Sequence, residues 1–277
     1  MKINKEYLLS FLSETGLRID LEIENKSGQV EISLIPLDME KTNRFVIKTI
    51  IGWKTVVSEI ELSNYSLPFL KALQNSNETK KSASVGFAKT AIKNGYFVNY
   101  QINQIPIDLE NIKSWPSKWE NFNLKILSKP FDVNEQSLLH QSILLEQECI
   151  LGVITSLLDL MPISENETQN FEFENLPEGA KLRVEVNKYE RNPLNRMACI
   201  RFYGCNCQVC GFNFEKTYGN LGRDFIHVHH IIPVSLLGPN YSVNPIHDLI
   251  PVCPNCHYML HKKNPPLTVS ELKSLLT

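Results

Sequence analysis

The sequence has no uncharged apolar run long enough to cross a membrane. The longest uncharged apolar run, Cys149 to Leu158, falls far short of the roughly 20 residues a spanning helix needs. It also lacks a basic start leading into an apolar segment, because Met1-Lys2-Ile3-Asn4-Lys5-Glu6 runs straight into a mixed polar pattern; no secretory signal is expected and the expected compartment is the cytoplasm. There is no internal repeat, no phosphate-cradling glycine loop and no serine-nucleophile motif, so solenoids, P-loop enzymes and serine hydrolases are set aside. Charge of one sign is missing as well. A net charge of −2 over 277 residues lacks the overall basic field of a nonspecific nucleic-acid coat.

With 43% hydrophobic and 21% charged residues, the chain reads as soluble and globular, and its length allows two cores. The charges divide unevenly. From residue 178 onward there are eleven Lys/Arg against seven Asp/Glu, and before it seventeen against twenty-three. Ser164 to Gly179 is acidic, with five glutamates, no basic residue and Leu176-Pro177. The expected organisation is therefore a domain over 1–162, a linker over 163–179 and a second domain over 180–277.

In the first region, Arg18–Glu24 and Gln29–Ile35 alternate apolar and polar residues, and Ser27-Gly28 sits between them, which predicts a hairpin. Strand-like segments continue over Arg44–Leu62 with a break near Gly52, then over Tyr96–Ile105 and Asn123–Leu127; Leu67–Gln74 predicts a short helix. Lys80, Lys81, Lys89 and Lys93, with Phe87, Tyr96, Phe97 and Tyr100 nearby, read as a solvated loop beside a core strand, or as a nucleic-acid contact. Asn134–Met161 carries apolar residues at three- and four-residue steps, predicting a long helix with an interruption at Gly152. Its wide apolar face suits a core or a dimer contact. The expected class is α+β, a mostly antiparallel sheet with a long helix.

Seven cysteines without a secretory signal point to metal rather than disulfides. Cys207-Gln-Val-Cys210 and Cys253-Pro-Asn-Cys256 are two C-x2-C knuckles separated by 42 residues, and four thiolates suit tetrahedral structural zinc. His229-His230 lies within the intervening loop, and His257 and His261 follow the second knuckle. On a helix, His257 and His261 share one face and can chelate one ion. On a strand, His229 and His230 point to opposite sides, so one can bind metal while the other faces substrate. Three imidazoles with a divalent cation, and a fourth as base, suit phosphodiester hydrolysis. His227 reads as an ordinary strand residue, His247 as a surface loop residue and His140 as a helix residue.

The run Phe225-Ile-His-Val-His-His-Ile-Ile-Pro-Val-Ser235, with Asp248-Leu-Ile-Pro-Val-Cys-Pro-Asn-Cys-His257, resembles the HNH nuclease family, most of all the McrA-type restriction endonucleases. The likeness covers about Glu178 to Leu275. The resemblance implies a ββα-metal fold in which His229, His257 and His261 hold the catalytic ion and His230 is the general base. The family's middle Asn, whose backbone carbonyl orients the base, falls at Asp248. The implied cofactors are structural Zn2+ and a catalytic Mg2+, Mn2+ or other divalent ion. The implied substrate is foreign DNA, modified or unmodified, selected by the first domain; a homodimer would cut both strands. Phosphate contacts are expected from Arg196, Arg201, Lys262 and Lys263. Two further readings are a defence effector gated by a non-DNA signal and a zinc module that binds nucleic acid without cutting it.

Overall fold

A computed structural model describes residues 3–13, 18–26, 28–37, 44–62, 67–158, 193–232, 241–263 and 265–276. The expected linker over 163–179 and a strand expected at 182–186 lie outside the described residues.

After α1 (Lys5–Ser13), strands β1 (Ile19–Lys26) and β2 (Gln29–Pro36) form the predicted hairpin, with Gly28 at φ +83° supplying the left-handed turn residue. β3 (Phe45–Ile51) and β4 (Val56–Leu62) form the next one, and β3 alternates buried and half-buried positions along its length. Helices α2 (Leu67–Gln74) and α3 (Glu78–Lys93) follow. The strand expected over Tyr96–Ile105 is instead β5 (Phe97–Ile102) turning into the short β6 (Ile105–Pro106). Asn103 and Gln104 both have positive φ, the signature of a tight two-residue hairpin. β7 (Phe122–Leu127) completes an antiparallel sheet in the order β1-β2-β3-β4-β7-β5-β6.

The next helix, α4 (Gln136–Leu158), runs against β3, β4 and β7 on one side and α2 and α3 on the other. Every residue from Ser142 to Leu157 is buried, so this stretch is wetted on neither face, and Glu146, Gln147 and Glu148 lie inside the protein with its apolar residues. It is long and apolar enough to cross a membrane, yet 89% of that stretch is buried inside the protein; its environment is core. The expected interruption at Gly152 is corrected. The helix is continuous there, and the missing side chain makes room for Phe87 of α3, whose ring lies 2.2 Å from where a Cβ would stand.

α3 itself replaces the loop read from the lysine-rich segment. Asn77 caps it by accepting the Lys80 N–H, it buries Ala83, Ser84, Val85, Gly86, Phe87, Ala88, Thr90 and Ala91, and the bare backbone of Gly86 makes room for Asn244 and Pro245. Lys89 pairs with Glu110 at 2.8 Å, and the Lys93 ammonium lies 4.0 Å above the Phe202 ring.

α5 (Pro193–Tyr203), as expected from Asn192-Pro193, buries Leu194 and Ala198 in this same core. Its Arg201 donates to both carboxylate oxygens of Glu148 on α4 at 2.6 and 2.7 Å. The Glu148 side chain is only 5% exposed. Deleting one partner of such a pair strands a charge away from water. Glu148→Ala is expected to cost about 3–5 kcal/mol, read as a large fall in Tm; a melt superimposable on the parent's would show the pair to be solvated.

The rest of the chain forms a second, smaller core: α6 (Phe214–Tyr218), the ribbon of β8 (His227–His230) and β9 (Leu249–Val252), then α7 (Pro254–Leu260) and α8 (Val269–Ser274). Cys207, Cys253, Cys256, Val209, Ile226, Val252, Leu260 and Leu272 make that core. A small apolar cluster of this size gains much from an added cross-link.

Candidate metal centre and active site

The two knuckles meet. The Sγ atoms of Cys207, Cys210, Cys253 and Cys256 all lie within 4.8 Å of one another, positioned to hold one metal ion. Local backbone geometry produces each knuckle. In the first, the Cys207 carbonyl accepts from the Gly211 N–H at 2.8 Å, and Gly211 takes φ +75°, a value costly for other residues. In the second, Cys253 caps α7 and accepts the Cys256 N–H at 3.4 Å, with Pro254 in the first helical turn. The Gln208 N–H donates to the Pro251 carbonyl at 2.9 Å, fastening the first knuckle to β9.

Burial opposes ionisation of Cys207. The surrounding N–H groups of Cys210, Cys253 and Val209 outweigh it and lower its thiol to about 7. Burial and the neighbouring sulfurs push Cys256 strongly upward. A single thiolate among crowded thiols suits a divalent cation, which relieves the repulsion when all four lose their protons.

The histidines form a second cluster. On β8, residues two apart share a face, so His229 turns toward α7 and His230 toward the opposite side. The nitrogen atoms of His229, His257 and His261 lie within 4.8 Å of one another. Their ring centroids are separated by 5.0–5.3 Å, with planes at 74–78°. The i, i+4 spacing brings His257 and His261 together, His261 standing as the C-cap of α7. His229 is buried, His257 half-buried and His261 exposed, so the cluster opens to solvent at one side. His227, read from sequence as an ordinary strand residue, shares the His229 face, and its ring stands 5.4 Å from that of His257. The i, i+2 spacing with His229 was the available signal.

Asp248 lies at the base of the ribbon, 7% exposed. Its carbonyl accepts the Ile231 N–H at 2.8 Å, one residue beyond His230. Its carboxylate accepts from the Tyr241 hydroxyl at 2.9 Å and the Asn244 N–H at 2.7 Å. Burial first, then this carboxylate, raise the Tyr241 phenol to about 12. Asn244, also buried, reaches further. Its amide donates to the Ser82 carbonyl and hydroxyl on α3 at 2.8 and 3.0 Å, while its Oδ1 accepts from the Ile246 and His247 N–H groups. The loop carrying Asp248 is thus clasped to the N-terminal sheet domain.

Of the expected phosphate contacts, Lys262 and Lys263 are exposed beside His261, and Arg196 is half-buried on α5. Arg201 has a structural partner as well: its Nε and Nη2 donate to Glu148, so this edge of the guanidinium clamps α5 to α4. His247 is exposed, and His140 lies on α4, accepting the Asn4 N–H.

A ribbon and helix bring three histidines together beside four clustered cysteines, and residues 207–263 match the HNH endonuclease family. Over 89 residues the chain is 35% identical to the type IV methyl-directed restriction enzyme EcoKMcrA of Escherichia coli (strain K12). That alignment covers 31% of this chain and 30% of the relative, so less than a third of either is compared. No solved structure matches.

Proposed function

We propose that the protein is a metal-dependent DNA endonuclease of the restriction type, acting on foreign DNA, unmodified or base-modified. The observation that carries this reading is the convergence of His229, His257 and His261 inside the segment that matches the HNH family. These three residues would hold the catalytic Mg2+, Mn2+ or other divalent ion, which supplies a positive charge to the phosphate and leaving oxygen. His230, on the other strand face, would take the proton of the attacking water; an imidazole's ordinary pKa of ~6.5 leaves it largely neutral and basic at working pH. The Asp248 carbonyl would orient that imidazole, and the Asn244 clasp would hold Asp248 in place. Cys207, Cys210, Cys253 and Cys256 would bind structural zinc.

Residues 1–162 would select the DNA, 163–179 would link and 180–277 would cut, in the cytoplasm. One site acts on one phosphodiester, so cutting both strands calls for a homodimer or two events. The gated-effector reading draws on one specific observation: α3 grips the loop that carries Asp248, so a ligand shifting α3 would reach the active site. The deciding experiment is cleavage of matched unmodified and base-modified plasmid by the full chain with Mg2+, Mn2+ or Zn2+ added. We expect metal-dependent cutting with a preference for one substrate. Cutting that starts only when a non-DNA additive is supplied, and then acts on both substrates alike, would favour gating, and no cutting with any metal, with or without the additive, would overturn the nuclease reading.

A further inference from the structure

One end of the N-terminal sheet gathers features that phosphodiester hydrolysis leaves unused. The turn between β3 and β4 is tight, the Gly52 N–H donating to the Thr55 carbonyl at 2.8 Å, and its tip presents Trp53 at 84% exposure. The other two tryptophans, Trp115 and Trp119, are buried. So large an apolar side chain on a rigid turn is a candidate contact rather than a core residue that missed its place. The Lys54 ammonium lies 4.5 Å from the Trp53 ring centroid. The Lys54 carbonyl accepts from the Phe131 N–H at 2.8 Å.

That bond ties the turn to the rim of a cleft. Its volume is about 190 Å³, and Tyr96, Ser128, Lys129, Phe131, Gln141 and Ser142 border it. Drug-sized ligands occupy sites of roughly 300–1,000 Å³, so this one suits a single ring. Behind its wall lies Glu146, one turn along α4 from Ser142, fully buried and with neither carboxylate oxygen hydrogen-bonded. Ser58, Ser128 and Ser142 surround it, and burial pushes its carboxyl up to about 8, so it carries a proton at neutral pH. The Ser142 hydroxyl, which accepts from the Tyr96 hydroxyl at 3.2 Å, stands between Glu146 and the cleft. A polar edge entering the cleft would meet this chain of donors and acceptors.

We propose that the cleft receives one nucleobase swung out of a DNA duplex, with Trp53 filling the vacated place in the stack and Lys54 and Lys129 on the flanking phosphates. Apolar wedges that enter a base step and pockets that hold an extruded base are complementary parts of one device. Here the hydrogen bond from Phe131 to Lys54 fixes their separation. The inference rests on the DNA-cutting reading and places the reading of the base in the N-terminal sheet domain.

The test uses the full chain carrying His230→Ala, to prevent cutting, and short duplexes with one central cytosine either paired or bulged. A bulged base has already lost its pairing, so a protein that extrudes bases binds it more tightly. We expect gel shifts at fixed salt to give about tenfold tighter binding of the bulged duplex, with quenching of the exposed Trp53 fluorescence. Trp53→Ala and Gln141→Phe, both at exposed positions, should each bring the two affinities within about twofold while Tm stays at the parent value. Equal affinities in the parent, no binding to either duplex, or a preference that survives both substitutions would overturn the proposal. Plasmid cutting by the chain with His230 intact is scored separately: cutting without a bulge preference removes the base cleft and leaves the nuclease standing, whereas binding with preference but no cutting does the reverse.

Discussion

His230→Ala should lower the rate of DNA cleavage by about 10²–10⁴-fold, the usual worth of general-base assistance, while metal content, Tm and DNA affinity remain near those of the parent. The expectation comes from strand geometry. β8 pairs His229 with Ile250 and His230 with Leu249, and successive residues face opposite sides. His229 belongs to the three-histidine cluster and His230 does not. His229→Ala should therefore fail differently, requiring more added divalent metal to reach any given rate. A His230→Ala protein that cuts at the parent rate would remove this residue from the mechanism.

The largest effect on stability is expected at Cys253, which has two roles. Its sulfur is one of four that cluster, and it also caps α7 by accepting the Cys256 N–H. Magnitudes separate the two. A lost N-cap costs about 0.5–2 kcal/mol, whereas structural zinc contributes an apparent ~10–16 kcal/mol in small metal-dependent domains. Cys253→Ser retains a capping oxygen but loses the thiolate, and Cys253→Ala loses both. Both variants should release zinc and unfold the C-terminal core, with Ser scarcely better than Ala. If the Ser variant keeps one zinc per chain and melts with the parent, capping rather than metal is the main role of this residue.

Periodicity made the hairpins of the first sheet legible, because β2 and β3 bury alternate residues and a period of two survives in the sequence. α3 was hidden for the opposite reason. Of its buried positions only Val85 and Phe87 are large and apolar, the rest being alanine, serine, glycine or threonine, so the contrast of large apolar and polar positions that marks a helix is faint. Gly152 looked like a helix break since intrinsic propensity disfavours glycine; only the position of Phe87 across the gap explains it. The knuckles and histidines were readable because ligand chemistry dictates both residue type and spacing. Contacts between Asn244 and Ser82, 162 residues apart, or Arg201 and Glu148, leave no local trace. That is why Arg201 looked like a free cation.

α5 has a consequence for how the molecule is held together. By sequence it belongs with the nuclease end, yet Leu194 and Ala198 lie in the N-terminal core and Arg201 is locked to Glu148. Asn244 adds a second rivet on α3. Side-chain contacts, and not peptide continuity alone, therefore hold the two cores together: a chain nicked between residues 158 and 193 is expected to stay assembled as a two-piece protein.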